Sequence, residues 1–128
     1  DGPVKNQTLL ITGGAGSVGH FAIQFAKWGG AKVITTISSA EKAQIAKNAG
    51  ADEIINYKEE NVIERIKTIT HNTGVDRIVE VDFGGNLEIS QAILKLNATI
   101  ATYASMGNTH PAFPFYSLMF KGITIRLI

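Results

Sequence analysis

Residues 9–19 read Leu-Leu-Ile-Thr-Gly-Gly-Ala-Gly-Ser-Val-Gly, an apolar run that opens onto the spaced glycines Gly14, Gly16 and Gly19. A helical pattern follows over 20–28, so the stretch reads as strand, glycine-rich turn and helix. In a turn of this kind the first glycine makes the tight bend. The second lets a phosphate approach bare backbone, and the third lets helix and strand pack closely. Gly14 is therefore expected to turn the chain, Gly16 to admit an anion and Gly19 to pack, with Ser17 and Val18 completing the cradle. The helix N-terminus behind them offers free N–H groups and the positive end of the helix dipole.

Outward from this unit, strands and helices alternate. The first strand covers 8–12, and the helix after it, ended by Gly29-Gly30, sets Val18, Ala22 and Phe25 on one face. A second strand runs over 31–37. Ser38-Ser39-Ala40-Glu41 then has capping-box spacing, with Ser38 as the cap of a helix that closes at Gly50. A third strand (53–56), a helix (60–70) carrying Ile63, Ile66 and Thr70, and a fourth strand (75–81) follow. A helix over 87–96, with Ile89, Ile93 and Leu96 at i, i+4 and i+7, leads to a fifth strand over 99–103. Pro111 and Pro114 mark a loop, and a short helix over 116–120 enters the sixth strand, 123–128. Alternation of this kind predicts a Rossmann α/β fold, a doubly wound parallel sheet in the order 3-2-1-4-5-6 with helices on both faces.

At 128 residues the chain is long enough for one such domain, and the whole of 1–128 is expected to be a single NAD(P)-binding unit. A net charge of +1 without a basic stripe argues against a nucleic-acid partner. With no cysteine, disulfides and thiolate metal sites are excluded, and a cytoplasmic setting is expected. No apolar run approaches membrane-spanning length, so no membrane partner is expected. The first residue is Asp1, with no initiator methionine, signal peptide or basic leader, which predicts an excised part of a longer protein whose catalytic domain lies elsewhere.

The end of the second strand selects the dinucleotide. An NAD-binding domain usually places a carboxylate there on the adenosine ribose, but this chain has Ser38-Ser39 and nothing to repel a 2′-phosphate. Lys42, in the first turn of the next helix, can offer an ammonium, and Tyr57, just past the neighbouring third strand, a hydroxyl. Each has a plainer reading, as cap, solvated lysine and surface aromatic. Their convergence at one predicted place favours NADP(H) over NAD(H).

The sequence LLITGGAGSVGHFAIQFAKWGGAKVITTISSAEKAQIAKNAGADEIINY (9–57) resembles the cofactor domain of the medium-chain dehydrogenase/reductases, specifically their zinc-independent quinone oxidoreductase and zeta-crystallin branch. GVDRIVEVDFGGNL (74–87), ATIATYASMG (98–107) and FPFYSLMFK (113–121) are similar to later segments of that domain. The resemblance implies that Ser38, Lys42 and Tyr57 hold the NADPH 2′-phosphate. It further implies backbone contacts to ribose and nicotinamide near Val81 and at Tyr103, Ala104 and Ser105. Hydride would pass from the nicotinamide C4 to a small quinone or enone-type acceptor, bound against the separate catalytic domain. Ser17 departs from the family's usual glycine, and Asp82-Phe83 from its small or apolar pair, which bears on the nicotinamide end.

Other constellations are weaker. A short-chain dehydrogenase would need glycine where Ser17 stands, and Tyr116 and Lys121 are one residue too far apart for its tyrosine–lysine pair. A Walker loop lacks its Gly-Lys-Ser/Thr. His20, His71 and His110 have no metal-ligand spacing, so no metal site is expected, and no catalytic acid or base is assigned. Glu80 and Asp82 are expected to be a solvated pair at a strand end. The apolar last strand, 123–128, reads as an exposed edge, and relatives dimerise through it, so a homodimer is expected. Against the oxidoreductase stand a zinc-type alcohol dehydrogenase or enoyl reductase cofactor domain, and a crystallin-like nucleotide-binding module with a structural or regulatory role.

Overall fold

Strand and helix alternate along the whole chain of this computed structural model, which describes residues 2–128; Asp1, the predicted boundary, lies outside the described residues. The elements are β1 (Thr8–Ile11), α1 (Ser17–Trp28), β2 (Lys32–Ile37), α2 (Ala40–Ala49), β3 (Glu53–Asn56) and α3 (Val62–Ile69). They continue as β4 (Val75–Glu80), α4 (Leu87–Ile93), β5 (Leu94–Thr102), α5 (Phe115–Phe120) and β6 (Thr124–Leu127). Every strand pair is parallel, and the order is β3-β2-β1-β4-β5-β6. This is the doubly wound sheet read from the sequence, with its reversal of strand order between β1 and β4.

Period-two side-chain alternation divides the core between the two faces. Leu9, Ile11, Val33 and Ile37 pack with Ile23 and Ala26 of α1 and Ala46 of α2. Leu10, Ile34, Ile78 and Ile100 point the other way, onto Val62 and Ile66 of α3 and Ile93 of α4. Thr35, fully buried between apolar neighbours, is satisfied by donating to the Ile11 carbonyl at 2.6 Å.

Three details differ from the sequence reading. The buried stripe of α1 is Gly19, Ile23 and Ala26, whereas Val18 and Phe25 of the expected face are exposed, Phe25 by 66%. Gly19 and Ala26 let the helix come close to the sheet, and Ile23 between them fills the contact. Helix α4 stops at Ile93, so Leu96 is in the long β5 and 71% exposed. Leu94, the C-cap, turns extended and pairs beside Val75, and Lys121 Nζ donates to the Gln91 carbonyl (2.7 Å) and the Leu94 carbonyl (3.0 Å) at this end. The cap of α2 is Ser39, not Ser38; its hydroxyl accepts from the Lys42 N–H at 3.3 Å. No helix among the described residues is long and apolar enough to cross a membrane.

Candidate dinucleotide-binding site

The glycine-rich turn carries its strain one residue earlier than the spacing suggests. Gly13 has φ +67°, the left-handed region that favours glycine, and its carbonyl accepts from the Gly16 N–H at 2.9 Å. Gly14 instead packs: a Cβ there would run into Thr35 Oγ1 and sit 2.8 Å from Ile23 Cδ1. Gly19 is also a packing glycine, because a Cβ would collide with the Gly13 carbonyl. At Gly16 a Cβ would meet only that carbonyl oxygen, at 3.3 Å, so the backbone faces open space.

Gly16 is also the N-cap of α1. No side chain caps this helix and no acidic residue stands in its first turn, at Ser17 and Val18. Asn61 caps α3 and Ser39 caps α2, so of the three longest helices only α1 presents its first-turn N–H groups uncapped. An uncapped N-terminus behind a bare glycine is an anion seat.

Beside it lies a crevice of about 320 Å³, walled by Thr12 and Gly13 after β1, Val81 and Asp82 after β4, and Asn86 ahead of α4. It opens where the strand order reverses, beyond the carboxyl ends of the strands, which is where open parallel sheets hold their ligands. Tyr57 also lines it. Its N–H donates to the Ile37 carbonyl at 3.1 Å, which sets β3's exit against the end of β2.

At that end the exposed Lys42 places its Nζ 3.0 Å from Oγ of the half-buried Ser38. Ser39 takes the cap, so the Ser38 hydroxyl is left to the lysine. Thus the structure joins Ser38 and Lys42 directly and sets Tyr57 on the crevice wall beyond them. Tyr103, Ala104 and Ser105 do not line this crevice. They border a shallower depression with Phe83 and Ile128. The two regions are tied together by Phe83 N–H to the Ala104 carbonyl (2.9 Å) and Gly84 N–H to Ser105 Oγ (2.8 Å).

Glu80, expected from the sequence to be solvated, is fully buried. Its Oε1 accepts from Thr12 Oγ1, the Asp82 N–H and Asn86 Nδ2, each at 2.8 Å. Burial pushes its carboxyl above the usual range against the lowering effect of these donors, with the nearby Asp82 charge adding to the rise. Burial, and then the Glu80 charge, also raise the Tyr103 phenol. Strand alternation stops short of Asp82, because β4 ends at Glu80. What it missed is that Thr12, at the end of the neighbouring β1, closes over the carboxyl. Asp82 remains at the crevice, its Oδ1 accepting from the Gly85 and Gly107 N–H groups at 3.3 and 3.0 Å.

Fold and site together define a dinucleotide-binding domain of the doubly wound class. Residues 17–128 match the family model described as zinc-binding dehydrogenase, and the chain belongs to that family, as a cofactor-domain segment in the quinone oxidoreductase branch of the medium-chain dehydrogenase/reductases. It is 51% identical over 65 residues to a quinone oxidoreductase of Salmonella typhimurium, covering 51% of this chain and 20% of that protein. With a quinone oxidoreductase of Rattus norvegicus it shares 32% identity over 102 residues, 80% of this chain and 31% of the relative. The crystal structure of Escherichia coli quinone oxidoreductase complexed with NADPH superposes with a TM-score of 0.85 at 32% identity, over 98% of this chain and 39% of that one. The chain therefore spans between a fifth and two-fifths of these relatives. Despite the family's description, the described residues hold no group of three or more His, Asp and Glu side chains placed to bind a metal. They do not fit a zinc ion.

Proposed function

We propose that this chain is the NADPH-binding domain of an oxidoreductase that reduces a small quinone or enone-type acceptor. The observation that carries the reading is the uncapped N-terminus of α1 behind bare Gly16, at the same sheet end as the Ser38–Lys42 pair. The first suits a pyrophosphate and the second a 2′-phosphate. Gly14 and Gly19 bring loop and helix together, and Ser17 and Val18 supply first-turn N–H groups. Tyr57 adds its side chain from the crevice wall, and the chain at Val81 and at Tyr103, Ala104 and Ser105 faces the nicotinamide end.

When bound, NADPH supplies hydride from its nicotinamide C4. This chain's residues contribute binding, orientation and exclusion of water, and none is assigned as acid or base. We take 1–128 as one nucleotide-binding domain of a longer cytoplasmic protein. Exposed Phe21, Phe25 and Trp28 on α1 offer apolar surface for further chain to cover. A homodimer through the β6 edge, where Leu127 is 81% exposed, completes the reading.

Calorimetric titration of the chain with NADPH and with NADH tests the cofactor assignment. Tighter binding of NADPH is the expected result, and equal or better binding of NADH overturns the NADP(H) preference. Turnover of NADPH and a quinone by the longer protein then separates an enzyme from a nucleotide-binding structural module, for which binding without turnover is the signature.

A further inference from the structure

Glu80 is the most deeply buried carboxyl among the described residues, and hydride transfer leaves it unused. We infer that Glu80 is the positioning residue of the crevice, holding the ends of β1 and β4 and the approach to α4 in one fixed arrangement beneath the bound dinucleotide. The inference rests on the cofactor reading for its ligand, though not for its geometry.

All three groups that converge on Glu80 Oε1 belong to residues lining the crevice: Thr12, Asp82 and Asn86. They come from three places in the chain, the end of β1, the turn after β4 and the residue ahead of α4. Thr12 extends the link, because its Oγ1 also accepts from the Val81 N–H at 2.9 Å, and Val81 is a further wall residue. The Glu80 backbone anchors the same point to β5, its carbonyl accepting from Thr102 Oγ1 at 3.1 Å. One oxygen thus sets the spacing of the crevice walls. A buried carboxyl is an expensive way to fill space, and an apolar side chain of similar volume would fill it without the desolvation penalty. Its use here is as a shared acceptor.

The second oxygen, Oε2, is buried with no hydrogen-bond partner. The three donors need one carbonyl-type oxygen at the reach of a glutamate side chain, and the other position can carry a proton or an amide nitrogen. Glutamine should therefore do the positioning work. Aspartate, one methylene shorter, and leucine, with no acceptor, should not. The groups facing this carboxyl are Asp82 on its own loop and the Tyr103 phenol beyond β5, with neutral Thr12 and Asn86 between.

The test compares wild type with Glu80→Gln, Glu80→Asp, Glu80→Leu and the core control Ile78→Val, all at a temperature where each is folded. Two readouts are taken, NADPH affinity by calorimetry and hydrogen exchange at the Val81 and Asp82 amides. The expected result is Glu80→Gln within about twofold of wild type in both readouts. Glu80→Asp or Glu80→Leu should weaken NADPH binding on the order of tenfold, with faster exchange at both amides. Ile78→Val should change stability alone. Undiminished binding and exchange protection in both Glu80→Asp and Glu80→Leu would overturn the inference, as would a folded Glu80→Gln that fails like leucine. If wild type itself binds no NADPH, the cofactor reading fails, and amide exchange across the four variants still decides whether Glu80 fixes the crevice.

Discussion

The ammonium of Lys42 lies 3.0 Å from the hydroxyl of Ser38, while the helix cap that Ser38 was expected to provide is supplied by Ser39. That division of labour leaves an exposed cation and a half-buried hydroxyl side by side at the end of β2. A phosphate monoester placed there would gain a charge-assisted contact that a free ribose hydroxyl would not.

Lys42→Ala is expected to weaken NADPH binding by about 1.5–3 kcal/mol, the scale of a hydrogen bond to a charged group, and to leave NADH binding nearly unchanged. Raising the ionic strength should erode the wild-type preference and hardly affect that of the variant, because an exposed charge pair is screened. Titration of both proteins at two salt concentrations measures this.

Gly14→Ala should destabilise the fold by about 1–3 kcal/mol, the usual scale of overpacking. Its Cβ would be driven into Thr35 Oγ1, which is committed to the Ile11 carbonyl, and into Ile23 Cδ1. Gly16→Ala, whose Cβ has one near neighbour at 3.3 Å, should cost less stability and show its main effect on cofactor binding. Urea denaturation beside NADPH titration separates the two.

Stability should also fall with rising pH through Glu80. Its folded-state carboxyl is raised above the ordinary value of 4.5, so the native state binds the proton more tightly than the unfolded chain. The resulting stabilisation is complete below that ordinary value and is lost as pH climbs from there through the folded value. Glu80→Gln does not titrate, so the stability difference between wild type and Glu80→Gln should move against wild type across that window. Denaturant midpoints from about pH 4.5 upward provide the check; a difference independent of pH would show that the carboxyl is not raised.

Leu127→Lys should oppose the edge-to-edge pairing proposed for β6. Leu127 is 81% exposed on β6, the outer strand of the sheet, and a charge there opposes edge-to-edge pairing. Sedimentation of wild type and variant over a concentration series tests it. A wild type that stays monomeric at high concentration would remove the dimer.

The sequence by itself determined the architecture. A glycine-rich turn after an apolar run, and repeated alternation of strand and helix periods, leave few topologies once crossovers are right-handed, and β3-β2-β1-β4-β5-β6 is the one found. It also pointed to Ser38 and Lys42 as neighbours past the end of β2, where they lie 3.0 Å apart, while Tyr57 stands on the crevice wall. Only the tertiary structure decided which residue did which job. Gly13 takes the positive φ and Gly14 the close packing because Thr35 and Ile23 crowd the second position, a contact made across the fold. At the end of α4, Lys121, distant in sequence, satisfies the Gln91 carbonyl of the helix and the Leu94 carbonyl just past it. Glu80 is buried because Thr12, 68 residues away along the chain, closes over it. Local pattern specifies elements and their order, whereas burial and hydrogen-bond partners belong to residues that only folding brings together.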